Sequence, residues 1–281
     1  MILIADSGST KTDWRFIKST GEISQEKTDG LNPFVKTDEE LNNVLGPLKG
    51  VLPQDEPINQ LFFYGAGCKG QGKATIEKAL KNAFGHACSI KVEDDLLAAA
   101  RATCGTEKGI ACILGTGANS CLYNGEIIID HIPALGYILG DEGSGAYLGK
   151  QLVNAFFKKE LPQDLEQRFS KRYQLSEQDV LDKVYKQPFP NKFLATFTRF
   201  LHHNIKHPYV KHLIYEGFTS FFKKNVMKYE GYERLPVHFT GSIAFYFNDL
   251  LRYTAAELNV TMGRILEKPI AGLTLYHDKD K

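Results

Sequence analysis

The sequence predicts an α/β protein made of two copies of one domain, each with a mixed sheet flanked by helices. Three observations predict it. An apolar run, Ile2-Leu3-Ile4-Ala5, enters the turn Asp6-Ser7-Gly8-Ser9-Thr10-Lys11-Thr12, and the pattern returns where Ile110-Ala111-Cys112-Ile113 enters Leu114-Gly115-Thr116-Gly117-Ala118-Asn119. Gly117 stands 109 positions beyond Gly8, a domain-length offset rather than a solenoid period. Between the copies, short apolar runs alternate with helical patterns after an antiparallel opening, as a mixed sheet with covering helices requires.

The first copy opens as a meander with strands at Ile2–Asp6, Trp14–Ile17 and Ile23–Lys27, and Ser19-Thr20-Gly21-Glu22 forms its second turn. A helix from about Glu39 to Leu48, a strand at Leu61–Tyr64, a helix at about Ala74–Phe84, a strand at Ser89–Val92 and a helix beginning near Asp94-Asp95 follow. The second copy repeats the meander at Ile110–Leu114, Ser120–Tyr123 and Glu126–Ile129, with Asn124-Gly125 as a two-residue hairpin turn. A hinge near residues 101–108 divides a domain of residues 1–105 from one of 106–281. Residues 144–235 read as a mainly helical insertion broken at Pro162, Pro188, Pro190 and Pro208, and Pro208 suits the first turn of a helix reaching about Tyr229. The chain closes with a strand at Val237–Phe239, the turn Gly241-Ser242, a helix at Ile243–Leu258, a strand at Val260–Leu266 and a tail helix after Pro269 with the option of packing back on the first domain.

The 281 residues suffice for two domains that each bury a core. With 34 basic and 33 acidic side chains the net charge is +1, and without a basic run neither nucleic acid nor an anionic membrane is expected as the main partner. The apolar residues ahead of Asp6 are too few for a secretory signal, and no later apolar run approaches the roughly twenty residues of a membrane span. The expectation is a soluble, cytoplasmic protein. Cys68, Cys88, Cys104, Cys112 and Cys121 form no Cys-x-x-Cys pair and read as buried free thiols.

The two small-residue turns are candidate phosphate loops. Glycine lets backbone N–H groups converge on an anion, Thr10, Lys11 and Thr116 add donors and charge, and Asp6 supplies a hard oxygen for Mg²⁺. Facing one another across a cleft, such loops would hold a nucleotide between related domains. Neither carries the Gly-Lys-Ser/Thr ending of a P-loop or the Gly-x-Gly-x-x-Gly of a dinucleotide site. Asp95, at a helix amino terminus, is a candidate general base, although Asp94 or Asp95 could simply cap that helix. Gly140-Asp141-Glu142-Gly143-Ser144-Gly145 offers either fixed acceptors for sugar hydroxyls or an exposed N-cap, and Gly241-Ser242 either a seat for an adenosine or a tight connection. His203 and His207 stand four apart, but Pro208 interrupts the segment, so His202, His203, His207 and His212 are not read as a zinc site, and Phe193, Phe197, Phe200 and Leu201 read as core.

Taken together, these blocks resemble the sugar kinases of the actin–hexokinase–Hsp70 ATPase superfamily, above all the N-acetylglucosamine kinase branch grouped with the BadF/BadG/BcrA/BcrD ATPase family. The resemblance implies two duplicated ribonuclease H-like (actin-like ATPase) domains, each with a mixed five-stranded sheet, around an interdomain cleft. It further implies ATP and Mg²⁺ as cofactors and an amino sugar as substrate, with N-acetylglucosamine converted to its 6-phosphate. Residue by residue, it implies Gly8, Thr10, Lys11, Gly115, Thr116 and Gly117 on the ATP phosphates, Asp6 on the metal side and Gly241 and Ser242 on the nucleoside. The resemblance likewise implies Asp95 as the base facing the sugar hydroxyl, and Asn32, Asn119, Gly136, Tyr137, Asp141 and Glu142 as holding the sugar. Ser7 and Ser9 replace glycines usual in the first loop, Leu135 stands where the animal enzymes carry tryptophan, and residues 203–208 lack the small residues expected near an adenine. The alternative is a BadF-type ATPase activator or nucleotide switch without a sugar substrate, but Leu114-Gly115-Thr116-Gly117 lacks the thiol of the activator loop. A sugar-binding regulator without transfer activity is a third reading, and a homodimer is left open.

Overall fold

The computed structural model describes residues 1–8, 10–52, 56–85 and 88–278; Ser9 of the first turn lies outside the described residues. The chain divides into two compact units, Met1–Thr106 with Gly125–Ile127 and Lys268–Lys281, and Glu107–Asn124 with Ile128–Glu267. The first contains β1 (Ile2–Ser7), β2 (Lys11–Ile17), β3 (Ile23–Asp29), α1 (Asp38–Val51), β4 (Gln60–Gly65), α2 (Gln71–Phe84), β5 (Ser89–Asp94) and α3 (Asp95–Cys104). The second contains β6 (Gly109–Leu114), β7 (Ala118–Tyr123), β8 (Ile128–Asp130), α4 (Gly136–Leu139), α5 (Gly145–Phe157), α6 (Gln163–Tyr173), α7 (Glu177–Tyr185), α8 (Pro190–Ala195), α9 (Thr198–His203), α10 (Pro208–Lys224), β9 (Val237–Thr240), α11 (Ser242–Tyr246), α12 (Asn248–Glu257) and β10 (Met262–Leu266). The last helix, α13 (Ile270–Asp278), belongs to the first unit, where it packs on α3.

Each unit carries a five-stranded mixed sheet. The order is β3-β2-β1-β4-β5 in one and β8-β7-β6-β9-β10 in the other, so equivalent strands occupy equivalent places. In both, the meander is antiparallel and the two later strands run parallel to the first. The repeat seen in the phosphate-loop candidates is thus a repeat of topology.

Period-two alternation on β4 builds the first unit. Leu61 and Phe63 point to one face, where they pack with Trp14, Leu41, Leu45, Ile76 and Leu80 beneath α1 and α2. Phe62 and Tyr64 point to the other and meet α13, with the Phe62 and His277 rings stacked at 3.7 Å. Arg101 Nη1 donates to Tyr64 Oη at 2.9 Å, leaving the phenol proton for His277 Nε2 at 2.8 Å. Burial, followed by the nearby cations Arg101 and Lys91, pushes the His277 pKa down to about 3. An unfolded His277 takes up its proton near pH 6.5 and the folded one does not, so its contribution to stability declines as pH falls from about 6.5 toward about 3. A His277→Gln variant, which keeps an acceptor for Tyr64, is expected to show a flatter urea-unfolding free energy over that window by up to about 1.4 kcal/mol per pH unit. Parallel curves for variant and wild type would exclude the assignment.

In the second unit, Ile110, Cys112 and Leu114 of β6 share a core with Leu148 and Leu152 of α5 and with Ile214, Phe218, Phe221 and Phe222 of α10. Phe197, Phe200 and Leu201 are buried in the same core with Phe193 packed against it, as their spacing predicts, and full burial of each phenylalanine contributes about 1.5–3 kcal/mol. All five cysteines are buried, and none is in a disulfide.

The structure departs from the sequence pattern at four places. β2 starts at Lys11, so Lys11 and Thr12, expected in the first turn, are strand residues. The strand expected at Glu126 starts at Ile128, because the ladder shifts register between Leu122 and Tyr123 and the connection lengthens. The helix from Pro208 ends at Lys224 rather than near Tyr229. There the Tyr229 hydroxyl turns inward, within 2.7 Å of Ser120 Oγ, and accepts the Ile132 N–H at 3.1 Å. The single helix expected at Ile243–Leu258 is two, interrupted at the buried Phe247, whose φ of −110° and ψ of 25° are not helical.

Candidate active site

In the first unit the β1–β2 hairpin sets Asp6 directly opposite Asp13 in the ladder. Burial, then the charges of Asp13 and Asp95, raise the Asp6 pKa from the ordinary carboxylate range to about 7, while Lys268 acts in the opposite direction. Lys268 Nζ donates to Asp13 Oδ2 at 2.7 Å. The sequence reading did not single out Asp13 or Lys268, which the structure pairs beside Asp6. The available signal was a carboxylate in the buried run Thr12-Asp13-Trp14, on a strand whose hairpin register brings it against Asp6.

Asp94 takes the cap of α3, accepting the Leu97 N–H at 2.8 Å, and pairs with Lys69 at 3.1 Å. Asp95 is therefore the first helical residue and no cap is asked of it. Burial and the adjacent Asp94 charge raise its pKa, with Lys69 opposing. A carboxylate that is both desolvated and unneeded for capping is available to accept a proton.

The hydroxyl of Ser7 is buried rather than presented to a ligand, 2.8 Å from Thr12 Oγ1, and it accepts the Leu31 N–H at 2.9 Å. It braces the loop that carries Asn32. Asn32 is buried too, its Oδ1 accepting the Phe34 N–H at 2.9 Å. The hairpin tip is tight, with Gly8 N–H donating to the Lys11 carbonyl at 3.0 Å, and Thr10, next to it, is exposed.

In the second unit three sequence blocks meet. The Gly145 and Ala146 N–H groups donate to the Gly115 and Thr116 carbonyls at 2.8 and 3.0 Å, fastening the second loop to the start of α5. Asp141 is buried and accepts the Ala118 N–H at 3.1 Å, with its carboxylate against Gly117. Its backbone is left-handed at φ 55°, a conformation unfavourable for a non-glycine residue and held here by the surrounding loop. Desolvation raises the Asp141 pKa, partly offset by the Ala118 bond. Ser144, not an acid, caps α5, and Glu142 is buried with Oε1 receiving Lys224 Nζ at 2.9 Å. The exposed-cap reading of Asp141 and Glu142 therefore does not hold. Asn119 Oδ1 lies 2.9 Å from His131 Nε2, and Gly136 begins α4, whose Tyr137 carbonyl accepts Lys150 Nζ at 3.1 Å.

Gly241 closes this arrangement. Its φ is 111°, and an added Cβ would lie 2.3 Å from the Leu114 carbonyl oxygen, so the third block presses directly on the entry to the second loop. Gly241→Ala is expected to cost about 3 kcal/mol or more in thermal or urea unfolding, because backbone atoms cannot yield as a side-chain terminus could. A variant within about 0.5 kcal/mol of wild type would contradict that contact.

No family model and no curated protein sequence matches the chain. Among solved structures, a Porphyromonas gingivalis protein described as a candidate N-acetylglucosamine kinase is 40% identical, with 100% of this chain and 99% of that one aligned at a TM-score of 0.93. This chain belongs to the N-acetylglucosamine kinase family. A second candidate N-acetylglucosamine kinase, from Chromobacterium violaceum, matches 98% of both chains at 18% identity and a TM-score of 0.76, and supports the fold. So does a glucokinase of the ROK family from Streptomyces griseus, solved with glucose and AMPPNP, at 13% identity, 99% and 98% coverage and a TM-score of 0.55. The mixed five-stranded sheet of each unit in this kinase is that shared fold. No helix among the described residues of the kinase is long and apolar enough to cross a membrane.

Proposed function

We propose that this chain is an ATP- and Mg²⁺-dependent kinase that transfers the γ-phosphoryl group to the 6-hydroxyl of N-acetylglucosamine. One observation carries the chemistry: Asp94 caps α3, which leaves the desolvated Asp95 as the base for the incoming hydroxyl. In this reading residues 1–105 form one ATPase domain and residues 106–281 the other, with α13 returning to the first. Thr10, Lys11 and Gly8 serve one phosphate loop, Gly115, Thr116 and Gly117 the other, and Gly241 and Ser242 the nucleoside. Asn32, Asn119, Gly136, Tyr137 and Asp141 take the sugar. Glu142 contributes by holding Lys224 beside them.

The residues present fit Mg²⁺. Burial, and then the like charges of Asp13 and Asp95, raise the Asp6 pKa to about 7, the electrostatics of a carboxylate that gains from a cation. No cluster of three or more ligating side chains occurs among the described residues, which suits an ion that keeps most of its waters and binds through one or two carboxylates and the substrate phosphates. When bound, Mg²⁺ neutralises phosphate charge. The location that matches such a substrate pair is the cytoplasm.

The decisive measurement is a panel of hexoses and amino sugars scored for ATP consumption and, by mass spectrometry, for phosphorylated sugar. N-acetylglucosamine 6-phosphate is the expected product. ATP hydrolysis without any sugar phosphate would favour a nucleotide switch, and sugar binding without product a silent regulator.

A further inference from the structure

Alternation along β1 and β2 divides the first sheet into two faces. Leu3, Ala5, Trp14 and Phe16 join the core beneath α1 and α2. Asp6 follows Ala5 and Asp13 precedes Trp14, so both aspartates point to the opposite face, where α3 and α13 pack. They are also direct partners in the antiparallel ladder. Residues so opposed have Cβ atoms about 4.5–5.5 Å apart with side chains on one face, and like charges placed there oppose folding. A carboxylate pair in that position needs a cation.

Only half of that need is met within the chain. Asp13 is 7% exposed, and Lys268 Nζ donates to its Oδ2 at 2.7 Å. The Asp6 carboxylate has no hydrogen-bond or ion-pair partner of its own among the described residues. The charged groups acting on Asp6 are Asp13, Asp95 and Lys268. Together with Asp6 they make three carboxylates against one ammonium, a net charge of −2 that is costly to hold away from water. One divalent cation balances it.

We propose that Asp13 is a second carboxylate facing the metal beside Asp6, and that Lys268 is a built-in counter-cation that positions Asp13 and limits how tightly the ion is held. This role for Asp13 rests on the proposed role of Asp6 as the metal-side carboxylate. A hard ion that keeps most of its waters needs only one or two protein carboxylates, and the ladder fixes the second relative to the first. Lys268 stands just ahead of α13, so the segment that brings the closing helix to this face also delivers the ammonium. If the ion pair did no more than fasten α13, loss of the lysine would loosen the site. As a competing cation, its loss tightens metal binding, and the sign separates the two roles.

Mn²⁺ is the probe, since it takes the same oxygen ligands as Mg²⁺ and its free concentration is read directly by electron paramagnetic resonance. With the intact chain and saturating ADP, Asp13→Asn is expected to weaken Mn²⁺ binding by about tenfold or more, as is Asp6→Asn. Lys268→Met should tighten it by about tenfold, because an opposing charge leaves the site, while Lys268→Arg stays near wild type. The gain from Lys268→Met should vanish in the Asp13→Asn background, the non-additivity of residues acting on one ion. In metal-free buffer Lys268→Met should melt below wild type and recover more than wild type when Mn²⁺ is added. Wild-type affinity in Asp13→Asn, with binding still weakened in Asp6→Asn, would overturn the role of Asp13 and leave that of Asp6 standing. Unchanged or weaker binding in Lys268→Met would overturn the counter-cation role. Mn²⁺ binding indifferent to Asp6→Asn would remove the metal from Asp6, and the role of Asp13 with it.

Discussion

Asp95→Asn should lower kcat by about 10²–10⁴-fold, the usual contribution of a positioned general base, with ADP affinity by calorimetry unchanged. The substitution keeps size and hydrogen-bonding capacity and removes only proton acceptance. Helix α3 should not suffer, since its cap comes from Asp94. A corollary concerns pH. Because burial and Asp94 raise the Asp95 pKa, the acid limb of the wild-type kcat/KM profile should lie at higher pH than an ordinary aspartate would give and disappear in the residual activity of the variant. Full turnover in Asp95→Asn would remove the residue from its role and the main support from the proposed mechanism.

Asp6→Asn should produce opposite effects on function and stability. Loss of the carboxylate should raise the Mg²⁺ concentration needed for half-maximal rate by about 10–100-fold. In metal-free buffer at pH 8, the same variant should be more stable than wild type by about 1–3 kcal/mol, seen as a rise of several degrees in melting temperature. The sign follows from the direction of the shift. Folded Asp6 holds its proton up to about pH 7 and unfolded Asp6 only to about 3.8, so ionised Asp6 opposes folding at high pH. The advantage of the variant should shrink as pH falls from 7 toward 4. A variant less stable than wild type at pH 8 would show that Asp6 is well solvated or well paired, contrary to its position opposite Asp13.

Much of the architecture was legible because it rests on local signals. The repeated strand-turn-strand pattern around Gly8 and Gly117 announced two similar sheets, and the short apolar run Leu61–Tyr64 announced a strand. What escaped depended on tertiary partners. Nothing local ends α10 at Lys224; the cause is Tyr229, whose hydroxyl is engaged by Ser120 and Ile132 far away in the chain. The choice between Asp94 and Asp95 as cap was open from pattern alone, since either carboxylate can reach an N–H of the first turn. Asp13 escaped for a similar reason. A strand aspartate looks like an exposed-face residue until hairpin register sets it across from Asp6, and its cation, Lys268, lies in the segment entering α13. Ser7 shows the converse. It stands in a turn read as a phosphate loop, and its hydroxyl is a buried brace between strand and loop.

The location of α13 bears on how this protein is born. The helix covers Phe62 and Tyr64, on a face of the first sheet that would otherwise expose aromatic surface to water. It is also translated after everything else in both units. On the ribosome, that face of the first sheet must wait for a helix translated after the whole of the second unit.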